Sequence, residues 1–345
     1  MWTTEPYDYD FISSTDYTDV NTDLPISFCE KEDLQSFSSF YVPIVFYILF
    51  FFSITGNMLI LIILVKWEKF NTVTNIFILN LVISDVLFSV TLPFTAVYIS
   101  SSWIFGNLMC KMTTAFYFSG FQSFVIFLTL MTVDQYLMIL HSWSSTSRSR
   151  IQYAINISVI AWCLSIMFSL PDVILSSTKE IDSGETVCEI LTFEDDQKKW
   201  WIEIGHYKHF SLFFIVPIVI IVACYIGIAL KLTTCNIRRK AKVLKLIFVI
   251  AFLFLLCWVP YNITMILMFQ ETIESFKNCY SILHYLFYIF QMLLYFHCCT
   301  NPLLYTFLGT KFRRYFSCSF SRLCLPRVMS MEHDMSLRTS MLNAV

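Results

Sequence analysis

The chain has 345 residues, of which 57% are hydrophobic and 14% are charged, and its mean hydropathy is +0.65. This composition is far more apolar than that of a soluble globular domain, so it argues against a soluble enzyme or binding module and favours a membrane protein. The formal net charge is −2, and a nucleic-acid partner is not expected.

Residues 1–39 form a polar segment rich in Asp, Ser and Thr, without a helical or strand period. Such a segment is predicted to be a largely disordered tail. Its first ten residues show no basic region followed by an apolar core, so a cleavable signal peptide is not expected. The first apolar stretch is expected to direct membrane insertion instead.

Seven apolar stretches follow, each long enough to cross the roughly 30 Å hydrocarbon layer as a helix. Lipid offers the backbone no hydrogen bonds, so stretches of this length are predicted to be helices. The sequence therefore predicts an all-α, seven-transmembrane-helix bundle over residues 40–308. The predicted spans 1 to 7 cover residues 41–65, 76–98, 112–139, 151–170, 210–230, 246–269 and 281–308.

Two segments outside the spans have distinct patterns. The longest connection, residues 171–209, is predicted to be a loop. After span 7, residues 309–325 alternate basic and aromatic side chains, which favours a short amphipathic helix on the inner membrane lipid. Cys318 and Cys324 are placed there for palmitoylation. Residues 309–345 are therefore predicted to form this helix and a cytoplasmic tail.

The charges separate onto two faces of the predicted bundle. One face carries 16 basic residues against 3 carboxylates, a net of +13 (16 − 3). The other carries 7 basic residues against 20 carboxylates, a net of −13 (7 − 20). By the positive-inside rule the basic face is cytoplasmic, which predicts an extracellular amino terminus and a cytoplasmic carboxy terminus.

Four of the twelve cysteines lie on the predicted exterior, where they can oxidise. They are Cys29, Cys110, Cys188 and Cys279. Four cysteines permit two bridges in three pairings, and the sequence by itself does not choose among them. Cysteines within the spans are interpreted as ordinary packing.

Polar and helix-bending residues recur inside the spans, where they are costly and therefore mark function. They are Gly56-Asn57, Asn80-Leu81 and Asp85 in spans 1 and 2, Trp162 in span 4, Pro217 and Tyr225 in span 5, Cys257-Trp258-Val259-Pro260 in span 6, and Asn301-Pro302-Leu303-Leu304-Tyr305 in span 7. In this order and register the set resembles the rhodopsin-like (class A) G-protein-coupled receptors.

Finer motifs resemble one subfamily, the chemokine receptors. They are Thr91-Leu92-Pro93, Trp103-Ile104-Phe105-Gly106, Trp258-Val259-Pro260-Tyr261-Asn262 and His297-Cys298-Cys299-Thr300-Asn301-Pro302. The resemblance runs from about residue 40 to residue 316. Lys66-Trp67-Glu68 and the following Thr74-Asn75-Ile76-Phe77-Ile78-Leu79-Asn80 are most similar to the XC or CC subclasses.

The resemblance implies two disulfides and a ligand pocket. The bridges would join Cys110 to Cys188 and Cys29 to Cys279. The pocket would contain Tyr98, Tyr117, Phe118, Tyr261 and Gln291, although packing between helices is an equal explanation for the aromatic residues. Gln291 replaces a carboxylic acid that is common at this site in the family.

The tail tyrosines Tyr7, Tyr9 and Tyr17 lie beside carboxylates, the context in which this family sulfates tyrosine. A sulfate would add negative charge and acceptors for a basic ligand. The alternative is a plain acidic tail with unmodified tyrosines.

The resemblance also implies an activation switch inside the bundle, built from Asp85, Asn57, Trp258, Pro260, Asn301, Pro302, Tyr305 and Tyr225. Asp85, Asn57 and Asn301 would line a polar cavity of the kind that holds sodium. Phe124 stands where the family usually has a small or hydroxyl residue, so no bound metal is expected. His297 beside Cys298 could be a metal ligand, but a structural core role is favoured.

At the cytoplasmic end of span 3, Asp134-Gln135-Tyr136 replaces the family's Asp-Arg-Tyr. The arginine normally pairs with the acid at rest and contacts the G protein when the receptor is active, and Gln135 has no charge for either role. Lys242 and Lys245 still offer a basic surface for a heterotrimeric G protein. Serine and threonine residues of the tail would recruit arrestin after phosphorylation.

Two functions remain open at this point. The first is a plasma-membrane chemokine receptor that activates an inhibitory-type G protein in chemotaxis and calcium signalling. The second, motivated by Gln135, is a scavenger that binds and internalises chemokine with little signalling. An enzyme is not expected, because no nucleophile lies beside a base. No cofactor is expected either, and span 7 has no lysine for a Schiff base.

Overall fold

The computed structural model of the chain describes residues 34, 36–68, 70, 72–141, 148–181, 184–190, 195–234, 241–271 and 280–308. Seven helical spans among them are long and apolar enough to cross a membrane, which confirms the predicted all-α, seven-helix bundle. They are Phe37–Lys66, Val73–Ser100, Gly106–Leu140, Arg148–Leu175, Ile204–Lys231, Ile247–Met268 and Ile282–Tyr305, and they keep the names span 1 to span 7.

The spans are built from nine α-helices and three short π-helical turns in the described residues. The α-helices are Val42–Ile63, Val73–Ser89, Leu92–Ser100, Gly106–His141, Arg148–Leu175, Asp195–Phe210, Val216–Thr234, Ala241–Glu271 and Tyr280–Leu308. The π-helical turns are Phe37–Tyr41, Leu64–Glu68 and Ser211–Ile215. Several predicted sites lie outside the described residues. They are Tyr7, Tyr9, Tyr17, Cys29, Cys279, Cys318, Cys324 and the expected amphipathic helix at 309–325.

The connection predicted as a loop over 171–209 is largely regular structure, so that prediction was wrong. Span 4 continues as helix to Leu175, and strands β1 (Ser176–Glu180) and β2 (Thr186–Ile190) then form an antiparallel hairpin. A further helix, Asp195–Phe210, leads into span 5. The polar side chains Asp172 and Lys208 suggested a loop, but they pair with each other and the helices therefore continue past them.

Span 2 is divided into two helices at Thr91. The Thr91 hydroxyl donates to the Phe88 carbonyl over 2.7 Å, and Pro93 follows in the first turn of the upper helix. A proline in the first turn has no N–H to leave unsatisfied, so the second helix begins there without loss of a hydrogen bond.

Polar contacts between buried side chains hold the lower bundle together. Asn80 donates to the Ser158 hydroxyl over 3.1 Å and accepts from the Trp162 indole over 2.8 Å, which joins span 2 to span 4. The hydroxyls of Ser84 and Ser123 lie 2.7 Å apart and join span 2 to span 3. Each bond satisfies a group that would otherwise be unpaired in an apolar surrounding.

Gly120 of span 3 lies directly against the backbone of span 2. A Cβ atom at this position would lie 2.7 Å from the Phe88 nitrogen and 3.0 Å from the Ser84 carbonyl oxygen. Because both are backbone atoms, Gly120→Ala is expected to separate the helices and reduce stability by about 1–3 kcal/mol. Thermal unfolding of the detergent-solubilised protein measures the loss.

Gly227→Ala is the matched control, because its Cβ would meet the ring of Tyr136 at 2.5 Å, and a side chain can move aside more easily than a helix backbone. The Gly120 variant should therefore be the less stable of the two. Equal melting temperatures for both variants would contradict this account of the contact between spans 2 and 3.

Candidate ligand pocket and activation switch

The first turns of span 3 are joined to the hairpin by a disulfide between Cys110 and Cys188, whose Cα atoms are 5.7 Å apart. Trp103 is 1% exposed and packs beside this bridge. Its backbone N–H donates to Thr186 over 2.8 Å, and its indole donates to the Gly106 carbonyl over 2.9 Å. The bridge and Trp103 thus hold the hairpin across the entrance to the bundle.

The residues expected to line the ligand pocket surround the upper interior. Tyr117, Phe118, Tyr261 and Gln291 are all less than a tenth exposed, while Tyr98 is half-buried against Trp103. The rings of Tyr117 and Phe118 meet edge to face at 5.1 Å. The side-chain oxygen of Gln291 has no hydrogen-bond partner among the described residues. This buried acceptor is therefore available to a donor on a bound molecule.

A buried charged cluster joins spans 4 and 5 at the same level. Asp172 is 3% exposed; its carboxylate lies 2.6 Å from the Lys208 ammonium and 3.4 Å from the His209 ring. The His209 ring stacks on Phe118 at 4.5 Å. The cluster therefore fixes one wall of the pocket, and sequence reasoning missed it because all three polar residues fell inside the predicted loop.

Lys111 makes a further tie between span 3 and the end of span 4. Its ammonium donates to the carbonyl oxygens of Val173, Ile174 and Ser176 over 3.2, 2.9 and 2.6 Å. The last carbonyls of a helix have no partner within the helix, and a cation at that end is favourable. Lys111 thus caps the carboxy-terminal end of the helix of span 4, beside the entrance.

Below the pocket, aromatic rings pack around Trp258. The indole lies parallel to Phe121 at 4.0 Å and contacts Phe254 at 5.6 Å and His297 at 5.9 Å. Pro260 lies inside the same helix, two residues beyond Trp258. An interior proline removes a backbone hydrogen bond, so a bend of span 6 at this level would move Trp258 against spans 3 and 7.

A second group of expected switch residues meets between spans 1, 2 and 7. Asn301 donates to the Asp85 carboxylate over 2.8 Å, and Asn57 donates to the Cys298 carbonyl over 3.1 Å. Pro302 lies inside the helix of span 7 and beside Gly56, where a Cβ would lie 3.0 Å from the proline ring. The structure thus brings Asn57, Asp85, Asn301 and Pro302 together. Tyr305 is fully buried in the same span, about one turn further along the helix.

Near the carboxy-terminal end of span 3, Asp134 forms an ion pair with Arg150, which lies in the first turn of span 4. Gln135 is 2% exposed and donates to the Thr74 hydroxyl of span 2 over 3.4 Å. Tyr136 packs with Tyr225 against Ile139 and Ile228. The acid of the motif is therefore neutralised from span 4 rather than by its sequence neighbour.

The two expected lysines of the G-protein surface lie near the start of the helix that contains span 6. Lys245 is exposed, while the side chain of Lys242 lies outside the part of the chain that is described.

Gln122, in the middle of span 3, was not singled out from the sequence. It is fully buried, and neither amide atom has a hydrogen-bond partner among the described residues. The sequence feature that could have identified Gln122 is its position as a single amide side chain within an apolar span.

Comparison with protein families supports the same architecture. Residues 56–305 match the family model described as 7 transmembrane receptor (rhodopsin family). The match covers well over half of the chain and extends from Gly56 in span 1 to Tyr305 in span 7. Members of this family are receptors rather than enzymes. The chain therefore belongs to the rhodopsin family of seven-transmembrane receptors, the class A G-protein-coupled receptors.

Proposed function

We propose that the chain is a chemokine receptor of the plasma membrane that binds a small basic chemokine and activates an inhibitory-type G protein. The observation that carries the proposal is the net charge of −13 on the predicted exterior. Asp172 and Lys208 neutralise each other within the bundle, and the exterior charge without them is still −13 (6 − 19). A field of this sign accelerates and orients the approach of a basic protein.

The tail and the rim would make the first contacts. In this proposal the tail over 1–39 is extracellular, sulfated at Tyr7, Tyr9 and Tyr17, and tied to the start of span 7 by a Cys29–Cys279 bridge. The motif Trp103-Ile104-Phe105-Gly106, which resembles that of chemokine receptors, supports this assignment, because Trp103 and Gly106 position the hairpin at the entrance. Palmitoylation at Cys318 and Cys324 would hold the segment after span 7 to the inner leaflet.

The ligand's end would then reach the pocket around Tyr117, Tyr261 and Gln291. Gln291 offers a neutral acceptor whose oxygen has no partner in the described part of the protein. A hydrogen-bond donor at the ligand's end would satisfy it. Tyr261 also packs against Trp258, so ligand contacts with Tyr261 are suited to changing the position of span 6.

A scavenger is the second candidate, because Gln135 replaces the arginine that normally contacts the G protein. Gln135 is buried beside Thr74 and carries no charge. Signalling would then depend on the remaining inner surface, where Lys245 is exposed and Tyr225 is half-buried, and arrestin would bind the phosphorylated tail. A receptor that couples weakly but still binds arrestin would take up ligand with little G-protein activation.

A panel of chemokines added to cells that express the chain separates the two candidates. Ligand binding, G-protein dissociation with and without pertussis toxin, and uptake of labelled chemokine are recorded in parallel. We expect saturable binding of a basic chemokine that weakens as salt rises, with toxin-sensitive activation. Failure of every chemokine to bind would refute the ligand assignment.

Gln135→Arg and Gln135→Met are measured in the same assay. The methionine variant matches the size of glutamine without its amide, so it isolates the effect of the positive charge. Uptake without activation in the natural protein, with activation restored by arginine but not by methionine, would establish the scavenger instead of the signalling receptor.

A further inference from the structure

Span 4 carries two amide side chains on the face that the rest of the bundle leaves uncovered. Gln152 and Asn156 are both exposed, and the Gln152 amide donates to the side-chain oxygen of Asn156 over 3.0 Å. Within the described part of the chain, the Asn156 nitrogen and the Gln152 oxygen have no other partner. The pair therefore presents hydrogen-bond donors and an acceptor on the outside of the helix.

The position of Asn156 along span 4 places its amide in the hydrocarbon layer. The helix Arg148–Leu175 has 28 residues and is about 42 Å long, against roughly 30 Å of hydrocarbon. About 6 Å at each end therefore lies in the polar boundary, where the charged Arg148 belongs. Asn156 is about 12 Å beyond Arg148 along the axis. Lipid offers no hydrogen bond at that depth, so an unpaired amide is costly there.

The exposed residues of span 4 recur at the spacing of a seam between two helices. Alternating steps of three and four residues connect seven exposed residues: Ser149, Gln152, Asn156, Val159, Cys163, Ile166 and Leu170. A repeat of 3.5 residues keeps one line of side chains facing a partner helix. The buried residues Ala154, Ala161 and Ser165 lie on the other side of span 4. This seam therefore points away from the bundle.

A second copy of the chain satisfies the amides of the seam by symmetry. Two copies inserted with the same topology lie parallel, and a two-fold axis along the membrane normal brings each seam residue against its own counterpart. Asn156 would meet the same amide at the same depth, and each amide has a donor and an acceptor for the other. A different membrane protein would need amides at both depths, whereas a second copy always has them.

We propose that span 4 joins two copies of this receptor through the amides of Gln152 and Asn156. A polar residue on such a seam fixes the register and the number of helices. Hydrogen bonds between transmembrane helices are individually weak, so the pairing is reversible and depends on the amount of receptor in the membrane. The seam contains no residue of the ligand pocket, and the proposal therefore does not depend on the identity of the ligand.

Energy transfer between two fluorescently labelled populations of the full-length receptor measures the pairing in phosphatidylcholine vesicles. We expect transfer that rises with the ratio of protein to lipid. Asn156→Leu should weaken the pairing by about three- to twentyfold, the range given by measured hydrogen bonds between transmembrane helices. Its melting temperature should not fall, because the side chain is exposed and makes no contact that holds the bundle.

The matched control moves the amide to the neighbouring lipid-facing position. Asn156→Leu combined with Ile155→Asn keeps the composition but turns the amide by about 100° around the helix, away from the seam. This double variant should pair as weakly as Asn156→Leu. Full pairing in the double variant would overturn the proposal. So would a natural receptor that stays monomeric at every ratio, since lipid head groups or a different protein would then satisfy the amides.

Cys163 provides a natural probe of the same seam. It is exposed and lies one heptad beyond Asn156, so its Cα should approach that of its counterpart within the roughly 4.4–6.8 Å that a disulfide requires. Copper phenanthroline and oxygen, added to the vesicles, would oxidise the two thiols to a disulfide. We expect a dimer on a non-reducing gel that Asn156→Leu diminishes and Cys163→Ser abolishes.

Cys299→Ser is the control for the oxidation, because the Cys299 thiol donates to the Leu49 carbonyl of span 1 over 3.3 Å. The cross-linked dimer should persist in this variant. A dimer that survives Cys163→Ser, or energy transfer without any cross-link at Cys163, would mean that another face joins the copies and would contradict the proposal.

Discussion

Replacing Asp172 by asparagine is expected to lower the stability of the receptor by about 3 kcal/mol, the lower end of the range for breaking a buried ion pair. The lower end applies because 15% of the Lys208 side chain remains exposed, against 4% of the Asp172 side chain. The substitution leaves the ammonium of Lys208 without its counter-charge. It also releases His209, which holds Phe118 at the pocket wall. Melting temperature, surface expression and ligand binding should fall together.

Two variants test whether the loss comes from the unpaired charge. Glu180→Gln removes the same formal charge from an exposed position on β1 and should leave the melting temperature unchanged. The double variant Asp172→Leu with Lys208→Met removes both charges and should recover most of the stability lost by the single change. If the double variant is as unstable as Asp172→Asn, the ion pair is not the origin of the effect.

The seven spans were predictable because apolar length alone decides them. A continuous apolar run of this size has one stable form in lipid, whatever its neighbours. The end of span 4 was not predictable by the same criterion. Asp172 and Lys208 are separated by 36 residues, and only the packed bundle shows that their charges cancel. A charged residue that marks a loop when alone can therefore lie inside a helix when its partner is distant.

The interior sites were predictable as residue types but not as contacts. The sequence identified Asp85, Asn301 and Trp258, and the structure places Asn301 on Asp85. It did not distinguish Cys298 from Cys299, since neighbouring helix positions point about 100° apart and the rotation of span 7 decides which one faces inward. In the structure Cys298 is fully buried beside His297, whereas Cys299 reaches the backbone of span 1.

The sequence also did not show which residue pairs with Asp134, although both Asp134 and Arg150 were noted in it. Arg150 lies 16 residues further along the chain, and its position depends on how span 4 crosses span 3. Gln135 cannot neutralise the acid, so Arg150 supplies the positive charge. The charge that neutralises Asp134 thus comes from span 4 in the structure.

Arg150→Ala is therefore expected to destabilise the receptor by about 1–3 kcal/mol, the cost of leaving a largely buried charged acceptor without its donor. The side chain of Asp134 is 11% exposed, and its second oxygen already lacks a partner among the described residues. Arg148→Ala is the matched control, because Arg148 is an exposed arginine in the same turn. It should change the melting temperature little.

Gln135→Arg changes the expected result, because the new arginine can take over the neutralisation of Asp134. Arg150→Ala should then be mild in the Gln135→Arg background and severe in the natural one. A thermal-unfolding cycle over the four forms should give a coupling free energy of about 0.5–3 kcal/mol between positions 135 and 150. Additive effects would mean that Arg150 does not substitute for the missing arginine. Coupling in stability accompanied by a change in ligand-independent G-protein activation would show that this ion pair also restrains signalling.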